Sequence, residues 1–229
     1  MRDIIVDMEY ELKLCKDVLE PQAVAHGELG ASAVRAMYVV SGALRLDADG
    51  ATATLGANSG WHNTGVLRAA AGPEHTVALR WELGLAGASP GKLAGDGVAS
   101  EVLLSAKMAL DRSESWLLRC DRVDFPRGGV ALRHTHRGGG IRCLLFGSIE
   151  IETKGARNRH GPLEAWFEAG PDPVHATASA SEATAFARVM ILPRSLLGKS
   201  SISYVNPEDL AKPKSQRYQV FVDAPVELP

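Results

Sequence analysis

The stretch GGVALRHTHRGGGIRCLLFG, from Gly128 to Gly147, places two histidines one residue apart between glycine runs, in a chain with only seven histidines. On a β-strand, residues i and i+2 point to the same face, so His134 and His136 are expected to project together while Thr135 faces away. Two imidazoles held side by side can bind one metal ion at about 2.0 to 2.1 Å. The pair predicts a metal site on a strand, although two histidines on an exposed strand would give the same letters.

Short apolar segments recur along the chain between Gly, Pro, Asp and Ser residues. They are rich in Val, Ile, Leu and aromatic residues, which is typical of strands rather than helices. The 23 glycines and 12 prolines agree with many tight turns. With 229 residues and 45% hydrophobic content, the chain can bury one large core or two small ones. The pattern predicts an all-β sandwich or barrel.

Two sequence patterns occur twice in the same order. MYVVSGALRL (Met37 to Leu46) resembles RCLLFGSIEI (Arg142 to Ile151), with Gly42 falling on Gly147. AGPEH, which ends at His75, likewise resembles AGPDPVH, and a strand carrying Arg and ending in Leu follows each. The repeat predicts two copies of one β-fold. Chance similarity between short apolar strands is the alternative.

The segment Leu85 to Ser100, between the two copies, is rich in Gly, Ala, Ser and Pro. We interpret it as a linker that is short enough for the copies to pack together. The predicted domains are an N-terminal barrel with its linker, residues 1–100, and a C-terminal barrel, residues 101–229.

Charge and cysteine content narrow the classes of partner and compartment. Lys and Arg total 25 against 27 for Asp and Glu, so a net charge of −2 offers no basic field for nucleic acid. No apolar run approaches the roughly 20 residues that span a bilayer, and the acidic start MRDIIVDMEYELK does not fit a signal peptide. Three widely spaced cysteines predict reduced, mostly buried thiols. We expect a cytoplasmic protein without nucleic-acid or membrane partners.

The spacing around the histidine pair resembles the first motif of the cupin superfamily: Gly, five residues, His-x-His, three or four residues, Glu, six residues, Gly. Gly128, His134, His136 and Gly147 fit this motif, and Gly140 stands where the glutamate is expected. The second cupin motif, roughly Pro-x-Gly-x-x-His with Asn four residues later, is looser here. GPDPVHATAS puts His175 at its histidine position, with Pro171 and Pro173 in the turn and Ser179 at the Asn position.

The resemblance covers both repeats and identifies the chain as a bicupin, with two jelly-roll barrels in tandem. It implies that His134, His136 and His175 bind one divalent metal ion (Fe, Zn, Ni or Mn) inside the C-terminal barrel. Imidazole is accepted by all of these metals, and three ligands leave positions open for water, dioxygen or substrate.

Two charged residues near the motifs can each be interpreted in two ways. Glu168, in EAWFEAG, supplies a fourth ligand if its strand turns it inward, and is otherwise a rim or surface residue. Arg142 stands two residues after the empty glutamate position, so it is expected to share the inward face. There it is predicted to bind a substrate carboxylate in bidentate fashion as a catalytic residue, or else to form a buried structural ion pair.

The first repeat lacks the motif ligands. Counting back from Gly42 puts Leu29 and Ala31 at the two histidine positions and Arg35 at the glutamate position, so we expect no metal in the N-terminal barrel. Three other histidines occur in this half of the chain: His26, His62 and His75. They could form a metal site at a different place in the barrel, or they could be ordinary hydrogen-bonded or exposed residues.

Two functions of different class follow from the resemblance. The first is a metal-dependent oxygenase acting on a small aromatic or carboxylate-bearing substrate. The second is a non-catalytic small-ligand-binding or sensory cupin with a structural metal, because the fold alone does not fix the chemistry. Cupin barrels expose sheet edges that another subunit commonly covers, so a homodimer is expected in either case.

Overall fold

Nearly every long element of the chain is a β-strand. The computed structural model describes residues 9–25, 29, 33–48 and 50–229. The first half contains β1 (Tyr10–Leu19), β2 (Val34–Ser41), β3 (Ala43–Ala48), β4 (Ala51–Gly56), β5 (Ser59–Asn63), β6 (Leu67–Ala71), β7 (Thr76–Leu85) and β8 (Val98–Met108). The second half contains β9 (Trp116–Phe125), β10 (Val130–His136), β11 (Gly140–Phe146), β12 (Ile149–Thr153), β13 (Ala156–His160), β14 (Ala165–Glu168), β15 (Val174–Ala178), β16 (Thr184–Pro193), β17 (Ile202–Tyr204) and β18 (Arg217–Val226).

In the described residues, helix is limited to two short 3-10 turns, Arg194–Leu196 and Pro207–Leu210. Across the described residues, no helix has the length and apolar character that spanning a membrane requires.

The strands form two pairs of sheets with matching order. The five-stranded sheet β5-β2-β7-β1-β8 corresponds strand for strand to β14-β11-β16-β9-β18. The sheet β4-β3-β6 corresponds to the β13-β12-β15 part of β13-β12-β15-β10-β17. Isolated β-bridges join Val24 and Leu29 to β6, and they are the counterpart of the pairing between β10 and β15 in the second half. The chain is therefore all-β, with two cupin-type jelly-roll barrels in tandem, as the sequence predicts.

The turn between β2 and β3 repeats as the turn between β11 and β12. Gly42 has φ +74°, and a Cβ built there would lie 2.5 Å from Thr76 Oγ1. Gly147 has φ +80°, and its Cβ would lie 2.5 Å from Thr184 Oγ1. Positive φ and the close approach both require glycine. The predicted match of Gly42 with Gly147 is confirmed.

The second predicted match joins positions that are not equivalent. The segment Ala71 to His75 leaves β6 and enters β7, whereas Ala169 to His175 leads into β15. Because β15 is the counterpart of β6, His75 and His175 lie one strand apart in the repeated topology. Turns of the sequence Gly-Pro-acid occur before many strands. Their similarity in the two segments therefore does not mean that the strands that follow are equivalent.

The Gly- and Ala-rich segment is not an inter-domain linker. β8 pairs with β1 from Leu19↔Val98 to Tyr10↔Met108, while β7 pairs with the other side of β1. The residues between β7 and β8 therefore connect two strands of the same sheet. The predicted division between residues 100 and 101 falls within β8, and the exact domain ranges remain a prediction.

The two five-stranded sheets pack against each other through one apolar core. Trp81 and Tyr10 on the N-terminal side contact this core together with Leu118, Ile141 and Val189 on the C-terminal side. The indole Nε1 of Trp81 donates a hydrogen bond to the carbonyl oxygen of Ile141 at 3.1 Å. Alternate residues of β11 and β16 face this core, so those between them face the C-terminal barrel interior.

Candidate functional site

The structure brings His134 and His136 together inside the C-terminal barrel. Both side chains are buried, at 6% and 3% exposure, while Thr135 lies between them on the other face of β10. Their Nε2 atoms are 3.2 Å apart, and the rings are nearly perpendicular at 86°. The i, i+2 spacing thus gives a pair of converging ring nitrogens.

Burial keeps both imidazoles neutral at neutral pH. It lowers the pKa of His134, and it lowers the pKa of His136 well below its usual range, with further lowering from Arg142 and Arg188. Nδ1 of His134 lies 2.7 Å from the carbonyl oxygen of Leu132, so Nδ1 carries the proton and donates it. The lone pair of His134 Nε2 consequently points towards His136. Nδ1 of His136 contacts Ser201 Oγ at 3.3 Å.

Glu168 places a buried carboxylate beside His136, opposite Gly140. It pairs directly with Gly140 across β11 and β14, and only 7% of it is exposed. Its Oε2 lies 3.5 Å from His136 Nε2, and its Oε1 accepts a hydrogen bond of 2.8 Å from Trp166 Nε1. The interpretation of Glu168 as a rim or surface residue is wrong, because Trp166 and Glu168 share the inward face of β14.

Arg142 forms an internal ion pair. It is fully buried, its Nη2 lies 2.7 Å from Glu168 Oε2, and its Nη1 donates to the carbonyl oxygen of Gly140 at 2.6 Å. Burial lowers the pKa of Arg142 to about 10, which leaves it charged at neutral pH. Its Nε has no hydrogen-bond partner within the described chain. Of the two roles predicted for Arg142, this geometry corresponds to the buried structural pair.

His175 does not join the histidine pair. Val174 and Ala176, its neighbours on β15, face the core of the barrel, so His175 points to the opposite face. It is only partly buried and lies opposite Glu152 on β12. The predicted third histidine ligand is therefore corrected to a residue on the outside of the sheet.

A second buried ion pair lies beside the site. Arg188 Nε and Nη2 donate to the two carboxylate oxygens of Asp121 at 2.6 and 3.1 Å. Arg188 is 5% exposed and Asp121 1% exposed. The barrel interior thus balances two guanidinium groups with two carboxylates, as buried charges require.

Two donor-atom distances at the site are in the range found between ligands of one metal ion. Ligands about 2.1 Å from one ion are about 3.0 to 3.5 Å apart at tetrahedral or octahedral angles, and the distances here are 3.2 and 3.5 Å. A cavity of about 20 Å³ adjoins His134, His136 and Glu168, enough for one water or ion. In the described residues, no group of three or more His, Cys, Asp or Glu side chains is arranged so that it could hold a metal ion.

A much larger cleft opens beside the same histidine. This cleft measures about 660 Å³ and includes Lys107, Trp116, His136, Arg137, Phe167 and Ile191 in its lining. His136 borders both the cleft and the small inner cavity. Arg142 lines neither of them, so a ligand in the cleft does not contact its guanidinium.

The N-terminal barrel contains an ion-pair network at the corresponding place. Glu82 Oε1 accepts hydrogen bonds from Arg35 at 2.9 Å and from Arg80 at 2.7 Å, and Arg80 also binds Asp17. Leu29 is buried in the core of this barrel. His62 is partly buried, and burial lowers its pKa. Ala31 and His26 lie outside the described residues, and the expectation of no metal here stays a prediction.

Sequence reasoning left the direction of Glu168 open, and it missed the contact of Ser201 with His136 and the cleft. The sequence did contain a signal for the direction of Glu168. Trp166 and Glu168 are two residues apart on a strand, so they lie on the same face, and a buried tryptophan implies a buried glutamate. The cleft combines segments around residues 107–116, 135–139, 167–171 and 191–193, which no local pattern brings together.

No protein-family model matches the chain, and no curated protein matches its sequence. Solved structures do match its fold. AerE from Microcystis aeruginosa has a TM-score of 0.59 at 16% identity, over 82% of this chain and 95% of that chain. A mutant of oxalate decarboxylase OxdC from Bacillus subtilis has a TM-score of 0.62 at 11% identity, over 91% of this chain and 78% of that chain.

A mutant of salicylate 1,2-dioxygenase from Pseudoaminobacter salicylatoxidans has a TM-score of 0.54 at 10% identity, over 91% of this chain and 74% of that chain. The structural neighbours include cupin proteins, in agreement with the cupin resemblance of the sequence. At these identities the similarity is one of fold.

Proposed function

We propose that the C-terminal barrel binds one divalent metal ion through His134, His136 and Glu168. The observation that carries this proposal is that His136 Nε2 lies 3.2 Å from His134 Nε2 and 3.5 Å from Glu168 Oε2, and that all three residues line a cavity large enough for one ion. Two neutral imidazoles and one carboxylate form the ligand set typical of non-haem iron oxygenases, which keeps coordination positions open. Fe is therefore the favoured ion, with Zn, Ni and Mn compatible with the same donors.

Neighbouring side chains act as positioning residues in this proposal. The backbone carbonyl oxygen of Leu132 accepts a hydrogen bond from Nδ1–H of His134, which directs Nε2 inward, and Trp166 Nε1 donates a hydrogen bond to one oxygen of Glu168. Arg142 holds the other oxygen and competes with the ion for its charge. Binding requires Glu168 Oε2 to be shared between Arg142 and the ion.

The reaction class that we propose is oxygenation of a small aromatic or carboxylate-bearing substrate. The inner cavity of about 20 Å³ excludes such a molecule, so the substrate would approach from the cleft of about 660 Å³ and meet the site at His136. Burial of the pair and of Glu168 would keep bulk water away from the reacting atoms.

A second function is favoured by the buried Arg142–Glu168 ion pair, whose Nη2–Oε2 distance is 2.7 Å. If the pair keeps Glu168 from the ion, the barrel is a non-catalytic ligand-binding or sensory domain whose histidines are hydrogen-bonded core residues. Both functions agree with a cytoplasmic homodimer that binds a small molecule without nucleic acid or membrane, which we also propose.

Metal analysis of untagged protein tests the first proposal. After loading with Fe, Zn, Ni or Mn and dialysis, the wild type should retain near one equivalent per chain, and His136→Ala should retain none. His175→Ala is the matched control, because His175 faces outward and its loss should leave the metal content unchanged. Retention of no metal by the wild type, or equal loss in both variants, contradicts the site. Dioxygen consumption with candidate aromatic carboxylates then separates enzyme from binding protein.

A further inference from the structure

We infer that the cleft beside His136 is a binding site for a small organic anion with an apolar ring, anchored by Arg137. This inference deepens the ligand-binding part of the proposed function. It depends on the side chains of the cleft alone, and the anion is held there with or without a metal ion.

Volume separates the roles of the two cavities. Sites for small organic ligands usually measure about 300 to 1,000 Å³. The cleft has about 660 Å³, whereas the inner cavity has about 20 Å³. The ligand site of the C-terminal half therefore lies outside the barrel interior, at its mouth.

Charge selects an anion. Lys107 and Arg137 line the cleft, and none of the described lining residues is an Asp or Glu. Lys107 already pairs with Glu9 at 2.6 Å. Arg137 is exposed and has no side-chain ion pair or hydrogen bond to any other described residue. Its planar guanidinium can hold a carboxylate with two parallel hydrogen bonds.

The walls select an apolar ring. Trp116 and Phe167 supply aromatic surface, because both side chains are only partly buried. Gly138 and Gly139 also line the cleft. A Cβ at Gly138 would lie 2.1 Å from the carbonyl oxygen of Ile191, so this position requires glycine. A flat ring fits against such a surface, with its charged group at Arg137.

Calorimetric titration with naphthoate tests the assignment, using naphthamide as the uncharged probe of the same shape. In EDTA, wild-type protein should bind naphthoate about tenfold or more tightly than naphthamide, since hydrogen bonds to a charged group are stronger than those between neutral groups. Arg137→Gln should weaken naphthoate binding by about tenfold and leave naphthamide binding unchanged. Arg127→Gln, at an exposed arginine in the turn between β9 and β10, should change neither.

A steric variant supplies an independent measurement. Ala109 is exposed and lines the cleft, so Ala109→Trp should keep the fold and abolish naphthoate binding. Equal affinity for naphthoate and naphthamide, no binding of either, or an unchanged affinity in Arg137→Gln overturns the proposal. A requirement for metal overturns it too. If the wild type does not bind naphthoate and Ala109→Trp has half the mass of the wild type in sedimentation, the proposal is wrong. The cleft would then be a contact surface between two copies of the chain. Metal content is measured separately, so loss of the metal site and loss of this site are distinguishable.

Discussion

Glu168 lies directly opposite Gly140 across the pairing of β11 and β14, and its carboxylate points to the histidine pair. Gly140 occupies the position where the cupin motif has a glutamate. A Cβ at Gly140 would lie 2.2 Å from the carbonyl oxygen of Val189, so the backbone leaves no space for a side chain there. Directly opposed residues on antiparallel strands share one face of the sheet. The carboxylate of this site therefore comes from the neighbouring strand.

Removing the charge of Glu168 should weaken metal binding. Glu168→Gln keeps the shape and loses the negative oxygen, so we expect metal affinity to fall by about tenfold to a hundredfold or more, the range seen when residues around a metal site are changed. Competition with a fluorescent chelator measures the affinity. Glu182→Gln, at an exposed glutamate, is the control and should bind metal as the wild type does. Equal affinities in the two variants would exclude Glu168 as a ligand.

Removing Arg142 should couple stability to metal. In Arg142→Met, Glu168 is left buried without its cation, and loss of one partner of a buried ion pair costs about 3 to 5 kcal/mol. A bound divalent ion would replace the missing charge, so saturating metal should restore a large part of the free energy of unfolding. Urea unfolding with and without metal measures both values. Equal destabilisation in the two conditions would show that the ion does not contact Glu168.

Strand parity decided which ligands the sequence could predict. The i, i+2 rule places His134 and His136 correctly, because it needs only that β10 is a strand. His175 was assigned by its distance from a proline turn, and a shift of one residue moves a side chain to the other face of the sheet. Val174 and Ala176 take the inward positions of β15 instead.

The fold itself was predictable from turn chemistry and apolar strands, down to the equivalence of Gly42 and Gly147. The role of the segment Leu85 to Ser100 was not predictable from the sequence. Gly, Ala and Ser are equally typical of an inter-domain linker and of a long connection within one sheet. Only the pairing of β8 with β1 distinguishes these cases.

The three cysteines should resist modification in the folded protein. Burial raises the pKa of Cys15 to about 11 and that of Cys143 to about 12, and it also raises the pKa of Cys120. Because the thiolate is the reactive form, native protein near pH 8 should react with Ellman's reagent about a hundredfold or more slowly than unfolded protein. One thiol that reacts at the rate of a free cysteine would contradict the burial of its site.

The same thiols predict an alkaline loss of stability. Their pKa values are raised in the folded state, so the unfolded chain releases these protons first as the pH rises. Their contribution to stability is complete below the ordinary thiol pKa of about 8.5 and is lost as the pH rises towards the folded values. Urea unfolding across the alkaline range should show a shallower decline when Cys143 is replaced, as in Cys143→Ala, than in the wild type. Identical slopes would contradict this linkage.

Trp81 should connect the stability of the two halves. It is fully buried between the five-stranded sheets and donates to the carbonyl of Ile141. Trp81→Ala should lower the free energy of unfolding by about 3 to 5 kcal/mol, as large-to-small changes in cores do. Trp81→Phe keeps most of the packing and should cost about 0.5 to 1.5 kcal/mol for the lost hydrogen bond. Two separate transitions, of which only one shifts, would show that the halves unfold independently.

The repeated glycine turn gives a test in which backbone strain and steric clash are separated. Gly147 and Gly155 have nearly the same backbone conformation, with φ of +80° and +76°, but a Cβ at Gly147 would lie 2.5 Å from the carbonyl oxygen of Ala183, whereas one at Gly155 meets nothing within 4 Å. Left-handed backbone costs about 1 to 2 kcal/mol for a residue with a Cβ, so Gly155→Ala should lose about that much stability. Gly147→Ala should lose about 1 to 3 kcal/mol more, because the neighbouring strand must move. Urea unfolding of the two variants measures the difference. Equal losses of stability would mean that the start of β16 can move at little energetic cost, so that steric clash does not explain the glycine at this turn.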